Sequence, residues 1–241
     1  MNNILFTIGG HDLSLLSSIV ILIPVLAMVI NRKMWDNSFI SLCCSFLLLL
    51  LSSFVSKNFV GSSATTKYTL NTLSALFQPP LTLLFLLYFA QYEQMKKTMI
   101  LSVIFLLITG VLMLTRSDIQ EAAAPVLLGI GSIMVLIFSC IFFIRQVKAN
   151  VSQRAETGKS FMITGIVFGY FCNAFIIVIH YIFQSTNTED LITLFEIGTF
   201  ISTFLLVVGL MLNKPIPKES VVVVKEKIPN LTEWEEFGSY K

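Results

Sequence analysis

The stretch "LITLFEIGTFISTFLLVVGLML", residues 191–212, decides the fold, because it is long, almost wholly apolar and carries one charged side chain. About 20 apolar residues in a helix cross the hydrocarbon core of a bilayer. A charge at the bilayer centre costs roughly 2.5–3.5 kcal/mol even on the most lenient scale. The stretch therefore predicts a transmembrane helix, and its one ionisable residue, Glu196, needs an explanation.

The composition of the whole chain extends this prediction. Of its 241 residues, 55% are hydrophobic and 12% are charged, and the mean hydropathy is +0.83. Charged residues make up about 25% of an ordinary soluble domain. The net charge of +2 provides no basic field for nucleic acid. The composition predicts an integral membrane protein whose partner is the lipid bilayer, with no nucleic-acid partner.

Six further apolar runs resemble the first in length. The seven predicted spans are 13–30, 38–55, 69–90, 99–115, 123–144, 161–183 and 191–212. All 16 Lys and Arg residues, and 13 of the 14 acids, fall outside these runs. The pattern predicts an all-α bundle of seven transmembrane helices over residues 1–212, followed by a flexible tail over 213–241.

The distribution of basic residues predicts the orientation. Cytoplasmic loops carry an excess of Lys and Arg. The N-terminus and the loops after spans 2, 4 and 6 hold three basic residues, whereas the other loops and the tail hold 13. We therefore expect the N-terminus outside and the C-terminus inside. No basic residue precedes the first run, so we expect a retained span and not a cleaved signal peptide.

Span 6, "FMITGIVFGYFCNAFIIVIHYIF", carries an unusual set of polar and small residues on one face. Gly165, Gly169, Asn173 and His180 are spaced by multiples of about 3.6 residues. Glycines four residues apart let a second helix approach closely, which predicts helix packing for Gly165 and Gly169. Asn173 either bonds to a neighbouring helix or binds a ligand.

Span 3 contains two consecutive prolines, Pro79 and Pro80, next to Gln78. Proline has no amide donor, so the carbonyls of Ala75 and Leu76 lose their helical partners and a kink is expected. Free carbonyls in a membrane need protein or water beside them. Two interpretations remain open, a kink filled by neighbouring side chains and a cavity that holds a ligand or water.

Glu196 has a potential partner on the preceding span. The connection over 184–190 is short, so spans 6 and 7 should be antiparallel neighbours. At 1.5 Å per residue, His180 lies ~5 Å and Glu196 ~8 Å from the outer ends of their spans. With Gln78 and Asn173 deeper, the four residues outline a polar pocket that opens outward to a small molecule or lipid. Alternatively, Glu196 reaches the membrane interface or serves only as a structural acceptor.

Several kinds of chemistry have no counterpart in the sequence. No span contains the lysine that would hold retinal, and two histidines without a CxxC pair provide no zinc centre. The four cysteines lie in apolar runs. Nucleotide-binding glycine loops and nucleophile elbows are absent from the sequence. We therefore expect no catalytic residues, no metal, no cofactor and no enzymatic activity.

The segment "PPLTLLFLLYFAQY", residues 79–92, resembles the third span of the seven-helix sensory region found in some bacterial histidine kinases. The resemblance implies a sensory protein of the bacterial cytoplasmic membrane. No kinase domain follows Asn213, so it implies a sensor module that signals through a separate partner. The resemblance assigns no site residue.

The sequence leaves three functions open. In the first, a receptor or sensor binds a small ligand or lipid from outside and passes a signal to a cytoplasmic partner through the basic loop 145–160 and the tail 213–241. In the second, a proton-coupled transporter exchanges protons at Glu196 and His180. In the third, the chain is a structural subunit of a membrane complex.

Overall fold

The computed structural model describes residues 19–31, 37–56, 63–115, 120–153, 157–179 and 188–213. Within these ranges the regular structure is helical, which confirms the predicted all-α class. The helices are α1 (Ile19–Ile30), α2 (Asn37–Ser56), α3 (Ala64–Leu86), α4 (Glu93–Thr115), α5 (Gln120–Gln153), α6 (Thr157–Ile177) and α7 (Thr188–Leu212).

Six of these helices, α2 to α7, are long and apolar enough to cross a membrane, with apolar runs of 19 to 25 residues. The multi-pass membrane character is thereby confirmed. Helix α1 is a shorter apolar helix over its described residues, and residues 13–18 of the predicted first span lie outside them. The count of seven spans and the orientation of the termini stay predictions.

Helix α4 shows how the surface of the bundle suits a bilayer. Met99 and Val103 are buried, whereas Leu101 and Leu112 are 67% and 60% exposed. Comparable large apolar side chains are exposed on all the other helices. An apolar surface of this extent is incompatible with water and compatible with lipid. Lipid chains are therefore the expected neighbours of the outer helix faces.

Consecutive helices pack as antiparallel neighbours around α3. Helix α3 contacts α2, α4 and α5, and α6 packs between α5 and α7. Ser52 of α2 donates to Asn71 Oδ1 at 2.9 Å near one end of the α2–α3 pair. The Phe39 and Phe85 rings meet edge-on near its other end, with centroids 5.4 Å apart. Side-chain contacts at both ends fix the register of α2 against α3.

Helices α6 and α7 approach until their backbones touch. A Cβ atom added to Gly165 would lie 2.7 Å from the Ser202 carbonyl oxygen, and one added to Gly209 would lie 2.6 Å from the Met162 nitrogen. Ser202 Oγ also donates to the Gly165 carbonyl at 2.7 Å. Close packing of this kind requires residues without a side chain. Gly165 thus lies where α7 leaves no room for a methyl group.

Helix α3 continues without interruption through Pro79 and Pro80. A Cβ atom added to Gly131 of α5 would lie 2.5 Å from the Pro79 ring, so the ring packs directly on that glycine. Beyond the prolines, Thr82 Oγ1 donates to the Gln78 carbonyl at 2.9 Å. The proline pair is therefore a contact point between α3 and α5.

The segment 145–160, predicted as a loop, is mostly helical. Helix α5 continues to Gln153 and α6 begins at Thr157. The sequence "RQVKANVSQ" lacks Gly and Pro and is rich in residues that tolerate a helix. Arg145 and Lys148 are therefore carried on a helical extension of α5, and the prediction of a loop there was wrong.

Two serines of α5 are buried without a hydrogen-bond partner among the described residues, Ser132 and Ser139. An unsatisfied buried hydroxyl costs about 1–3 kcal/mol. We expect Ser139→Ala to raise the free energy of unfolding in mixed micelles by about 1 kcal/mol. Ser202→Ala, which removes a formed hydrogen bond, is the control and should lower it. Equal losses of stability in the two variants would contradict this account.

Candidate functional site

A cavity of about 310 Å³ lies between the α2–α3 pair and the α6–α7 pair, with α5 at its side. Small-molecule sites in proteins commonly have volumes of about 300–1,000 Å³. Of the 22 residues that line the cavity, 11 carry a hydroxyl or an amide and none is Asp, Glu, Lys, Arg or His. The described lining is thus mostly apolar by area, with hydroxyl and amide groups but no charged side chain.

One wall of the cavity is a buried hydrogen-bonded group centred on Thr82. Its hydroxyl lies 2.7 Å from Tyr170 Oη and 3.4 Å from Ser45 Oγ. Because the single Thr82 hydroxyl proton is donated to the Gln78 carbonyl, Tyr170 must donate to Thr82. This contact joins α3 to α6 across the bundle.

Gln78 and Asn173, two of the four residues of the predicted pocket, both line the cavity. Gln78 precedes Thr82 by one turn of α3, and Asn173 follows Tyr170 by about one turn of the antiparallel α6. At 1.5 Å per residue, both lie ~5–6 Å from the Thr82–Tyr170 contact and on the same side of it. The two amides therefore line the same cavity at about the same depth.

Glu196 is buried, with 6% of its surface exposed. It does not line the described cavity, but Thr199 and Thr203, three and seven residues later on the same face of α7, do. Because α7 begins at Thr188, Glu196 lies ~12 Å along the helix at 1.5 Å per residue, farther from its start than the sequence indicated. The carboxyl group lies within the bundle and on the helix face that borders the cavity.

His180 lies outside the described residues, since α6 is described only as far as residue 179. The predicted pair of Glu196 and His180 therefore stays a prediction. Residues 214–241 of the predicted tail also lie outside the described part of the chain.

The opposite end of the bundle carries a cluster around Tyr88, which we call the Tyr88 cluster: Tyr88, Phe39, Lys159 and Asn213. Lys159 Nζ lies 5.2 Å from the centre of the Tyr88 ring, a cation–π distance. Asn213 Nδ2 donates to Tyr88 Oη at 3.3 Å. The Phe39 ring meets Tyr88 edge-on at 5.1 Å. The cluster links the end of α3 to α2, α6 and the end of α7.

Sequence reasoning missed most of the cavity. It did not assign Thr82 or Thr199, yet a signal was present in span 3. Polar residues recur there every three or four positions, and these are Asn71, Ser74, Gln78 and Thr82. Such a stripe marks one face of a helix, and all four of its members line the cavity.

The hydrogen bond between Thr82 and Tyr170 should contribute to the stability of the folded protein. Tyr170→Phe removes the phenol that donates to Thr82, and a buried hydrogen bond contributes about 0.5–1.5 kcal/mol. We expect a loss of about 1 kcal/mol in the free energy of unfolding, measured by reversible denaturation in mixed micelles. Tyr92→Phe, at a ring 61% exposed, is the matched control and should change little. A loss no larger than the control's would show that the contact does not hold α3 to α6.

The described residues include no cluster of three His, Cys, Asp or Glu side chains that could hold a metal ion. No protein-family model, curated protein or solved structure matches this chain. Its function is therefore inferred from the chemistry and position of the cavity.

Proposed function

We propose that this chain is a receptor- or sensor-like multi-pass membrane protein, which binds a small ligand in the cavity and acts through a cytoplasmic partner. The observation that carries the proposal is the cavity itself. It is large enough for a small molecule, and its lining is mostly apolar by area with hydroxyl and amide side chains among it, a combination typical of ligand sites.

The position of the cavity supports entry from the outer side. On α6, lining residues run from Ile166 to Asn173, the half of the helix away from Lys159. On α5, they are Pro125 and Leu128, far from Arg145. The bias of basic residues predicts that the Lys159 and Arg145 end is cytoplasmic. In that orientation the cavity occupies the middle and outer half of the membrane.

Helix α3 provides the connection between the cavity and the cytoplasmic end. It presents Gln78 and Thr82 to the cavity, and Tyr88 follows Thr82 by six residues, or ~9 Å of helix. A ligand that displaces α3 would change the contacts of Tyr88 with Lys159 and Asn213. The tail continues directly from Asn213, so a displaced α3 would alter how the tail is presented to a partner.

The proposal agrees with the resemblance of residues 79–92 to a kinase sensory region. In that interpretation the protein lies in a bacterial cytoplasmic membrane. Its helical α5 extension and the tail 213–241 form the surface that a separate signalling partner would bind.

The test uses the full chain in lipid nanodiscs, with a fluorine label on Lys148→Cys in a background without the native cysteines. A library of neutral small molecules is screened for those that raise the unfolding temperature. We expect at least one such molecule, and we expect it to change the fluorine spectrum at position 148 as well. Lys148 is exposed at the end of the bundle predicted to be cytoplasmic, far from the cavity, so the label would report a transmitted change.

Two results would count against the proposal. If no molecule raises the unfolding temperature, the cavity does not bind ligands. If molecules bind but leave the label unchanged, no signal reaches the α5 extension. Transport of a bound molecule across proteoliposomes, dependent on pH and lost in Glu196→Gln, would favour the transporter instead.

A further inference from the structure

We infer that the ligand is an uncharged molecule with an apolar body and a polar group that both donates and accepts hydrogen bonds, recognised by the amides of Gln78 and Asn173, which line the cavity at about the same depth. This inference rests on the proposed function and specifies the class of ligand.

The lining excludes a charged ligand on energetic grounds. No residue that carries a full charge lines the described cavity. A charged group moved from water into a low-dielectric site without a counter-charge loses far more free energy than hydroxyl and amide contacts return. A neutral ligand incurs no such cost. Because the buried Glu196 lies three residues before Thr199 on the face of α7 that borders the cavity, the cavity should discriminate most strongly against a carboxylate of the same shape.

The two amides provide the polar half of the recognition. A side-chain amide carries a carbonyl acceptor and two N–H donors. Within the described part of the chain, no hydrogen bond ties up the amide of Gln78 or Asn173, whereas Thr82, Tyr170 and Ser202 are bonded within the protein. Polar groups at membrane depth need partners. A ligand with an adjacent donor and acceptor would satisfy both amides at once.

The remaining lining supplies the apolar half. Phe46 and Leu49 of α2, Leu128 of α5 and Phe195 of α7 border the same space. An aromatic or aliphatic body placed against them is removed from water at a gain of about 25 cal/mol per Å². A molecule that is polar throughout, such as a small sugar, would place hydrogen-bonding groups against these apolar side chains and leave those groups without partners.

The test compares three probes that share a 4-fluorophenyl ring: 4-fluorobenzamide, the isosteric 4-fluorobenzoate and the apolar 4-fluorotoluene. Their binding to the full chain in nanodiscs is followed by fluorine NMR. The Thr199→Phe variant, in which a ring occupies the cavity, provides the background for partitioning into lipid. Above that background, we expect the amide to bind at least about tenfold more tightly than the carboxylate and more tightly than the hydrocarbon.

Substitutions then test the two amides directly. Gln78→Met keeps a side chain of similar length, Asn173→Leu keeps the branched shape, and both remove the hydrogen bonds of the amide. Each should weaken 4-fluorobenzamide binding about threefold to tenfold, the equivalent of one lost hydrogen bond, and leave 4-fluorotoluene unchanged. Gln91→Met is the matched control, because Gln91 is exposed at the cytoplasmic end, and it should change neither affinity.

The outcomes separate this inference from the proposed function. Binding of the benzoate or the toluene as tightly as the benzamide would overturn the neutral-amide assignment while leaving a ligand site in place. Benzamide affinity unaffected by both substitutions would overturn the role of Gln78 and Asn173. Binding of none of the three probes would overturn the inference, and the wider screen for stabilising molecules would then decide the proposed function.

Discussion

Gly165→Ala is expected to lower the free energy of unfolding by about 2–3 kcal/mol, at the upper end of the cost of overpacking a close-packed interior. The added methyl group would lie 2.7 Å from the Ser202 carbonyl oxygen and 3.0 Å from the Leu206 nitrogen. Both are backbone atoms, so no side chain can rotate away and α6 must separate from α7. Reversible unfolding in mixed micelles measures the loss directly.

Gly129→Ala is the control for this prediction. A methyl group there would approach nothing closer than Ile177 Cγ2 at 3.7 Å, an ordinary contact distance. Alanine also favours helix over glycine by up to about 1 kcal/mol, so this variant should be unchanged or slightly more stable. If both variants lose the same free energy of unfolding, the prediction is wrong, and Gly165 is not required for the close packing of α6 against α7.

Thr199→Phe is expected to abolish ligand binding, with a loss of at least about tenfold, roughly 1.4 kcal/mol, in the affinity of any molecule that occupies the cavity. Thr199 is half-buried and lines the cavity from α7. A phenyl ring in its place would fill space that a ligand needs. Affinity for the best-binding neutral molecule, measured in nanodiscs by fluorine NMR, tests the prediction.

Two controls separate a filled cavity from a general effect of the added ring or a loss of folding. Thr98→Phe makes the same exchange at an exposed position of α4, and it should preserve affinity. The unfolding temperature without ligand shows whether Thr199→Phe still folds, and Thr199→Leu provides a smaller filling group if it does not. Undiminished binding in a folded Thr199→Phe variant would place the ligand site elsewhere.

Parts of the candidate site could be predicted from the sequence because a polar amide residue is unusual within a long apolar run. Gln78 beside two prolines, and Asn173 in an apolar run, are conspicuous by composition alone, and both line the cavity. Thr82 is marked only as a member of the polar stripe of span 3. Thr199 is not conspicuous, because a hydroxyl in a membrane helix can bond to its own backbone, and only its neighbours on other helices distinguish it.

For the prolines and glycines too, the sequence predicts the local effect of a residue but not its contacts with other helices. Pro79 predicts a local disturbance in any sequence, but its contact with Gly131 of α5 joins residues 52 positions apart. Likewise, Tyr88 gives no sign that Lys159 and Asn213 will reach it. Such contacts depend on how whole helices are rotated and offset against one another.

The sequence by itself determined that the chain is helical and built for a bilayer. The free energy of placing a segment in lipid is a sum of contributions from its apolar and charged residues. The separation of charged residues from apolar runs along the chain is therefore sufficient to identify membrane-spanning segments. The tertiary structure alone decided that five helices border one shared cavity and that Gln78 and Asn173 both line it. That arrangement depends on how packed helices are rotated relative to one another. The rotation is determined by contacts between residues that are distant in the chain, so no single segment of the sequence predicts it.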